Sequence, residues 1–217
     1  MVRSEYVYTP KIIFNLERTL SLDRLRNYRL VAAGNPEMAI RLYLWNVALS
    51  QSMYAPLQCF EVALRNAIVE VLENPYGINW YENIQWQQRE TDIIEEAKDY
   101  LREFGVAVGP SAMIGALNLG FWVGLLDRHY ENDLWRPHLR RAFPNAPNPL
   151  RRKDVYSIVH RLRKLRNRIA HHEPIFSRQL SDDHELILQF VSWICVDTSG
   201  WLRCHSCFEK VWNERPA

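Results

Sequence analysis

Hydrophobic positions recur with helical spacing along nearly the whole chain. Apolar residues at i, i+3 and i+4 are typical of amphipathic helices that bury one face. The pattern predicts a helix beginning near Ser21, helices opened by Pro36 and Pro56, and further helices over 91–104, from Ser111, over 150–172, over 180–194 and from Trp201. Glycine is scarce at 8 residues, which argues against a turn-rich β fold. We therefore predict an all-α protein.

The length and composition predict one domain. The chain has 217 residues, of which 47% are hydrophobic, so it can bury a sizeable core. The proline-rich stretch 143–149 reads as a loop within the domain, because the segment after it is too short to fold alone. We expect a single domain over 1–217, with a core at about 19–195 and an aromatic C-terminal extension over 196–217.

Charge and targeting features indicate what the protein can bind and where in the cell it is expected. The net charge is only +2, so any nucleic-acid site must come from local clustering of charge. The N-terminus has no apolar signal-peptide core, and the apolar run 111–126 is broken by Asn118 and by glycines. Cys59 lies far in sequence from the other three cysteines, and a chain this apolar does not need disulfide bonds, so the cysteines suit a reducing compartment. We expect a cytoplasmic protein without a membrane span.

The helix over 150–172 carries the strongest candidate chemistry. Its apolar stripe, which we predict to face the core, consists of Val155, Ile158, Val159, Leu162, Leu165 and Ile169. The opposite side groups His160, Arg163, Lys164, Asn167 and His171. Basic residues crowd this helix and a single acid, Asp154, precedes Glu173. A solvated helix end that complements the helix dipole explains Arg163 and Lys164 well.

That explanation accounts less well for Arg166, His171 and His172. Arg166 lies at the margin of the apolar stripe, so we expect it to be partly buried and held by a partner. Imidazole exchanges protons near neutral pH, and guanidinium binds phosphate through two hydrogen bonds. RNA supplies its own nucleophile, the 2′-hydroxyl group. A base, an acid and a cation are therefore sufficient to cleave it without a metal ion or cofactor.

A family resemblance supports this interpretation. The segment from Arg166 to His171 is an R-x4-H motif of the kind found in HEPN-domain ribonucleases. Together with Leu44-Trp45-Asn46, the run from Phe60 to Ile68, the run 119–122 and RNRIAHHEPIF, it resembles the Abi-like (abortive infection) branch of the HEPN superfamily. The resemblance spans about residues 19–194.

The resemblance implies a helical bundle that dimerises to bring two motifs together across a composite cleft. It also implies metal-independent RNA cleavage in bacterial defence, and a neutralising partner that is either a protein or a structured RNA. By position, Arg166 would stabilise phosphate, His171 would act as general acid or base, and Asn167 would orient one of them. Glu173 stands where related toxins carry a modifiable tyrosine, which argues against that form of regulation.

Other basic residues are predicted to bind RNA. On this helix we expect Arg163, Lys164 and Arg168 to attract phosphate groups non-specifically, and His160 to bind RNA as well. His172 is a further RNA-binding candidate that could take the place of His171.

Glu61 and Arg65 form a second candidate pair. They are four residues apart beside the apolar stripe of their helix, and the simplest interpretation is an exposed intrahelical ion pair worth a few tenths of a kcal/mol. The sharper hypothesis is that this edge faces the motif helix. Glu61 would then hold Arg166, and Arg65 would extend the phosphate-binding surface.

Two further groups point less clearly to function. Cys204 and Cys207 form a C-x2-C pair, but zinc needs four ligands and only a chance approach of Cys195 and His184 could complete them. The acids over 182–185 are explained by the helix dipole. For the chain as a whole, the alternatives to a ribonuclease are an RNA-binding module without catalysis and a purely structural helical dimer.

Overall fold

The computed structural model describes residues 6–216. Within this range the chain forms eleven α-helices and no β-strand, which confirms the all-α prediction. The helices are α1 (Pro10–Leu20), α2 (Leu22–Val31), α3 (Pro36–Tyr76), α4 (Trp80–Asn83), α5 (Gln88–Glu103), α6 (Pro110–Ala116), α7 (Leu119–Gly124), α8 (Arg152–Ala170), α9 (Leu180–Ile194), α10 (Val196–His205) and α11 (Phe208–Asn213). Three one-turn helices over 128–142 connect α7 to the loop before α8.

The 41-residue helix α3 is the central element of the bundle. Its sixteen buried residues contact most of the other helices, including α2, α8, α9 and α11. The prediction that Pro56 starts a new helix is wrong, because Pro56 lies buried inside α3. An interior proline removes a backbone hydrogen bond and costs about 3 kcal/mol. Burial of a long apolar stripe on both sides of Pro56 offsets that cost.

Helix boundaries elsewhere depend on local capping signals. Asn118 caps α7 by accepting a hydrogen bond from the Phe121 backbone, so the predicted single helix from Ser111 is divided into α6 and α7. Helix α2 begins directly after Ser21, as predicted, and the Ser21 side chain caps it, but α1 before it was missed. Helix α1 begins at Pro10 after a Thr9 side-chain cap, a start signal that the sequence carried, although the helix buries no residue.

The C-terminal helices complete the core around α3. Phe190 of α9 packs edge-to-face against Phe60 of α3, and the buried Phe208 begins α11. The Trp45 indole donates a 2.8 Å hydrogen bond to the Val211 carbonyl. Within the described range, no helix combines the length and apolar character needed to cross a membrane.

Candidate active site

Helices α3 and α8 are joined by an ion pair between Glu61 and Arg166. The Arg166 Nε atom lies 3.6 Å from the Glu61 carboxylate, and the two side chains are 42% and 25% exposed. Arg166 is therefore partly buried and paired, as its position at the margin of the apolar stripe predicted. The contact also confirms that the Glu61 edge of α3 faces the motif helix.

This ion pair lies in a cleft of about 470 Å³ between the two helices. Arg65 lines the same cleft. The cleft therefore contains two guanidinium groups and one carboxylate. The apolar wall is formed by Leu57, Val62 and Ile169, while Tyr54 and Gln58 add polar groups at the rim. The Tyr54 side chain is 65% exposed. An open cleft with net positive charge and one fixed carboxylate is suited to binding a phosphodiester.

A second groove of about 510 Å³ continues along the same edge of α3. It shares Tyr54, Ile169 and Ala170 with the first cleft and extends to Tyr43 and His172. The cleft and groove together run along α3 past the C-terminal end of α8. Phosphate-binding groups and a more apolar surface therefore adjoin one another at this helix end.

The end of α8 holds the His pair in a defined turn. His172 adopts the left-handed conformation with φ 57°, where glycine is more usual. Its backbone N–H bonds to the Ile169 carbonyl, and the Glu173 N–H bonds to the Arg168 carbonyl. These two bonds form a Schellman motif, which satisfies the last carbonyl groups of the helix. Pro174 comes directly after the turn and prevents further helix, as predicted.

Two residues from other helices fix this turn. Arg24 of α2 donates a 2.8 Å hydrogen bond to the His172 carbonyl. Asn46 of α3 is 4% exposed, and its side-chain oxygen accepts from the Ile175 N–H at 2.7 Å and the Phe176 N–H at 3.1 Å. The chain after the His pair is therefore held by a buried side chain.

The structure places the catalytic candidates on two sides of α8. Asn167 is exposed, and its side-chain oxygen lies 3.5 Å from Arg166 Nη1. His171 is exposed at the helix end, and its imidazole makes no hydrogen bond to any residue in the range 6–216. At about 100° per residue, His171 lies about 140° around the helix from Arg166. The cleft around Arg166 therefore does not include His171.

The predicted RNA-binding residues on α8 also have different surroundings. Arg163 approaches Gly120 at the start of α7, away from the Glu61 cleft. Lys164 is exposed, while His160 is half-buried and stacks on Tyr156. Burial, together with the smaller effect of the Lys164 and Arg163 charges, lowers the pKa of His160, which favours the neutral imidazole.

Arg168 is engaged within the chain. It donates a 2.5 Å hydrogen bond to the Pro174 carbonyl and pairs with Glu173 at 3.1 Å. Its charge is therefore compensated at the turn, and its role in RNA binding stays a prediction.

Asp183 and His184 at the start of α9 are held by contacts within the chain, whereas Cys204 and Cys207 are exposed. In residues 6–216 no group of three or more His, Cys, Asp or Glu residues is placed to hold a metal ion. His184 is buried, stacks on Phe208 and lies 2.8 Å from the Ser206 hydroxyl. Asp183 is fully buried and accepts from Arg161 and Arg178, an ion-pair role that the helix-dipole argument missed.

Sequence reasoning assigned no role to Tyr54, Gln58, Asn46 or Arg24. A signal for the first two was present, because Tyr54, Gln58, Glu61 and Arg65 have the spacing of one helical edge. Asn46 and Arg24 act on a distant turn, and periodicity within a helix gives no indication of such a contact.

These features define an all-α protein with an Arg/Glu cleft and a paired-histidine turn at the end of one helix. A model of the family described as "Abi-like protein" matches residues 19–177, and the chain belongs to this family. The family match covers α2–α8 and most of the turn after α8, and so includes both sides of the cleft. Comparison with curated proteins and with solved structures gives no match.

Proposed function

We propose that this protein is a metal-independent endoribonuclease of the HEPN type that acts in abortive infection. The observation that carries the proposal is the Arg166 guanidinium, held by Glu61 in an open cleft beside Arg65. This cleft adjoins the turn that carries His171 and His172. The family membership supports a role in abortive infection, because the family is named for that process.

The proposed reaction is attack by the RNA 2′-hydroxyl on the adjacent phosphate. A His171 imidazole accepts the 2′-hydroxyl proton as the bond from the 2′-oxygen to phosphorus forms. The bond from phosphorus to the 5′-oxygen breaks, and a second acidic group protonates that oxygen. Arg166 stabilises the charge that develops on the non-bridging oxygens. The products are a 2′,3′-cyclic phosphate and a 5′-hydroxyl end.

A homodimer with a composite site fits this chemistry. Arg166 and His171 lie about 140° apart around α8, so one copy does not direct both at a single phosphate. Two copies that pair near the ends of their α8 helices would bring Arg166 of one copy towards His171 of the other. They would also supply both a base and an acid. His172 is the second candidate for either role.

An uncontrolled ribonuclease would damage its own cell, so the proposal includes a neutralising partner. A protein that covers the Glu61 cleft or a structured RNA that occupies it would act in this way. Either partner is expected to release the site when infection is sensed.

The experiment compares the wild type with His171→Ala for RNA cleavage and for RNA binding. His171 is exposed, so the substitution is expected to leave the fold and the RNA affinity intact. Loss of cleavage with retained binding supports the ribonuclease. Binding without cleavage by the wild type would favour a non-catalytic RNA-binding module, which the positively charged cleft around Arg65 and Arg166 would also suit. Absence of RNA binding at moderate salt would favour a structural dimer.

A further inference from the structure

Two clefts on the outer face of α8, away from Glu61, carry much of the positive charge of the molecule. The first lies at the N-terminal end of α8 and has a volume of about 590 Å³. Five cations line it: Arg136, Arg140, Arg151, Arg152 and Lys153. Glu131 pairs with Arg152 at 2.7 Å and Arg136 at 3.4 Å, and Asp154 pairs with Arg151 at 2.6 Å.

Arg140 and Lys153 in this first cleft remain available to bind an anionic ligand. Both side chains are exposed, and neither makes an ion pair within the described part of the chain. Once the pairs to Glu131 and Asp154 are counted, the cleft has a net charge of +3.

The second cleft lies along the middle of α8 and has a volume of about 480 Å³. Its cations are Arg161, Lys164 and Arg178, and its one acid is the buried Asp183, which binds both arginines. The net charge is therefore +2, and Lys164 is exposed with no ion-pair partner in residues 6–216. The two clefts together carry +5, whereas the whole chain carries +2.

The two clefts lie along one face of the helix. Lys153 lines the first, and Ser157, His160 and Lys164 line the second. These four residues lie within about 60° of one another around α8, and His171 falls in the same sector. We name the lining of the two clefts the basic face. It leads along α8 to the exposed His171.

We propose that the basic face is an RNA-binding exosite that holds the phosphates of a single strand and guides that strand to His171. This inference rests on the proposed function. The distance from Lys153 to His171 along α8 is about 27 Å, since the helix rises about 1.5 Å per residue. A stacked strand advances about 3.4 Å per nucleotide, so the face spans about eight nucleotides. The enzyme should therefore prefer long RNA to short RNA.

The test variant is Arg140→Gln/Lys153→Gln, which removes two exposed, unpaired cations from the far end of the basic face. The matched control is Lys11→Gln/Lys210→Gln, which removes two exposed cations from α1 and α11 that also lack ion pairs in the described range. Both variants change the net charge equally. Circular dichroism and thermal melting confirm that each variant is folded.

RNA affinity is measured against salt concentration, with each pair of substitutions placed in the His171→Ala protein so that cleavage does not interfere. Each single-strand phosphate contact contributes about 0.7 to the slope of log affinity against log salt, so the test variant should lose about 1.4. At about 0.1 M salt this corresponds to about 20-fold weaker binding of an RNA of about 20 nucleotides. The control should bind like the His171→Ala parent.

Cleavage is then measured with variants that retain His171, to show whether the two substitutions act at the basic face or at the cut. One RNA has about 20 nucleotides around a mapped cut, and a second has about 5 nucleotides around the same cut, too few to span the face. The test variant should lower the preference for the longer RNA, measured as the ratio of kcat/KM values, about 20-fold.

Three outcomes decide the proposal. Equal RNA affinity in the test and control variants would overturn the proposal and would indicate that the basic face binds an acidic protein instead. Equal loss of cleavage on both RNA lengths would overturn it as well, because the two residues would then act at the cut. If no RNA is cleaved but affinity and slope both fall by the expected amounts, the basic face stands and the proposed ribonuclease fails.

Discussion

At the scale of single residues, the Glu61–Arg166 contact links the fold to the proposed chemistry. The Glu61 carboxylate lies beside Nε and the Asn167 side-chain oxygen lies 3.5 Å from Nη1, so the remaining N–H groups of the guanidinium can meet a phosphate. The two side chains are 25% and 42% exposed, so water screens the pair and its contribution to stability is small. The contact therefore matters more for orientation than for folding.

Glu61→Gln is accordingly expected to lower RNA cleavage about 10- to 100-fold, because a misplaced Arg166 stabilises the transition state poorly. The free energy of unfolding should change by less than about 1 kcal/mol. Kinetics and denaturant titration measure the two effects. Glu37→Gln, which removes the exposed Glu37–Arg41 pair on the same helix, is the control and should leave cleavage unchanged. Equal losses of activity and stability in Glu61→Gln would contradict the assignment.

At the scale of elements, α3 positions the end of α8 through Asn46. The Asn46 side-chain oxygen accepts two buried backbone N–H groups just after the His pair. A buried donor without a partner costs about 1–3 kcal/mol. The turn that carries His171 and His172 therefore depends on a side chain from another helix.

Asn46→Ala should reduce the free energy of unfolding by about 2–4 kcal/mol, because two buried N–H groups lose their acceptor. Cleavage should also fall, since the turn is no longer held. Ser52→Ala is the control, because it removes an equally buried side chain of α3 whose hydroxyl bonds only to the Leu49 carbonyl of the same helix; it should cost at most about 1.5 kcal/mol and leave cleavage unchanged. If Ser52→Ala lowers stability and cleavage as much as Asn46→Ala does, the hydrogen-bond explanation is incorrect.

Helices with an uninterrupted periodic pattern of apolar residues were predictable from the sequence. Helix α9 occupies the predicted span 180–194, and the Glu61 edge was recognised because its polar positions border an apolar stripe. The break expected at Pro56 was wrong, since core packing on both sides outweighs a local preference. The Asn46 contact and the Asp183 ion pairs join segments far apart in sequence, so no local pattern specifies them.

At the scale of the whole molecule, the C-terminal helices belong to the same core as the cleft. Leu202 and Phe208 are 3% and 2% exposed, and Trp45 of α3 donates its indole N–H to the Val211 carbonyl. The family match ends at residue 177, before α9–α11 begin. Although these helices lie beyond the matched region, they cover the central helix that carries Glu61.

Deletion of residues 196–217 is expected to destabilise the protein by about 3–6 kcal/mol, from the loss of Leu202 and Phe208 burial alone. Deletion of residues 1–20, a segment of similar length whose helix buries no residue, should cost much less. Thermal melting of the two truncated proteins compares them. A C-terminal deletion that melts like the full chain would show that the extension is dispensable for folding.

The central claim is that RNA is cleaved by attack of its own 2′-hydroxyl at a site built from Arg166 and His171. The most direct measurement is the chemistry of the product ends after incubation of mixed RNA with the wild-type protein in EDTA. We predict cleavage in EDTA that leaves 2′,3′-cyclic phosphate and 5′-hydroxyl ends, and no cleavage by His171→Ala. Cleavage that requires added metal ions, or that leaves 5′-phosphate and 3′-hydroxyl ends, would contradict the account.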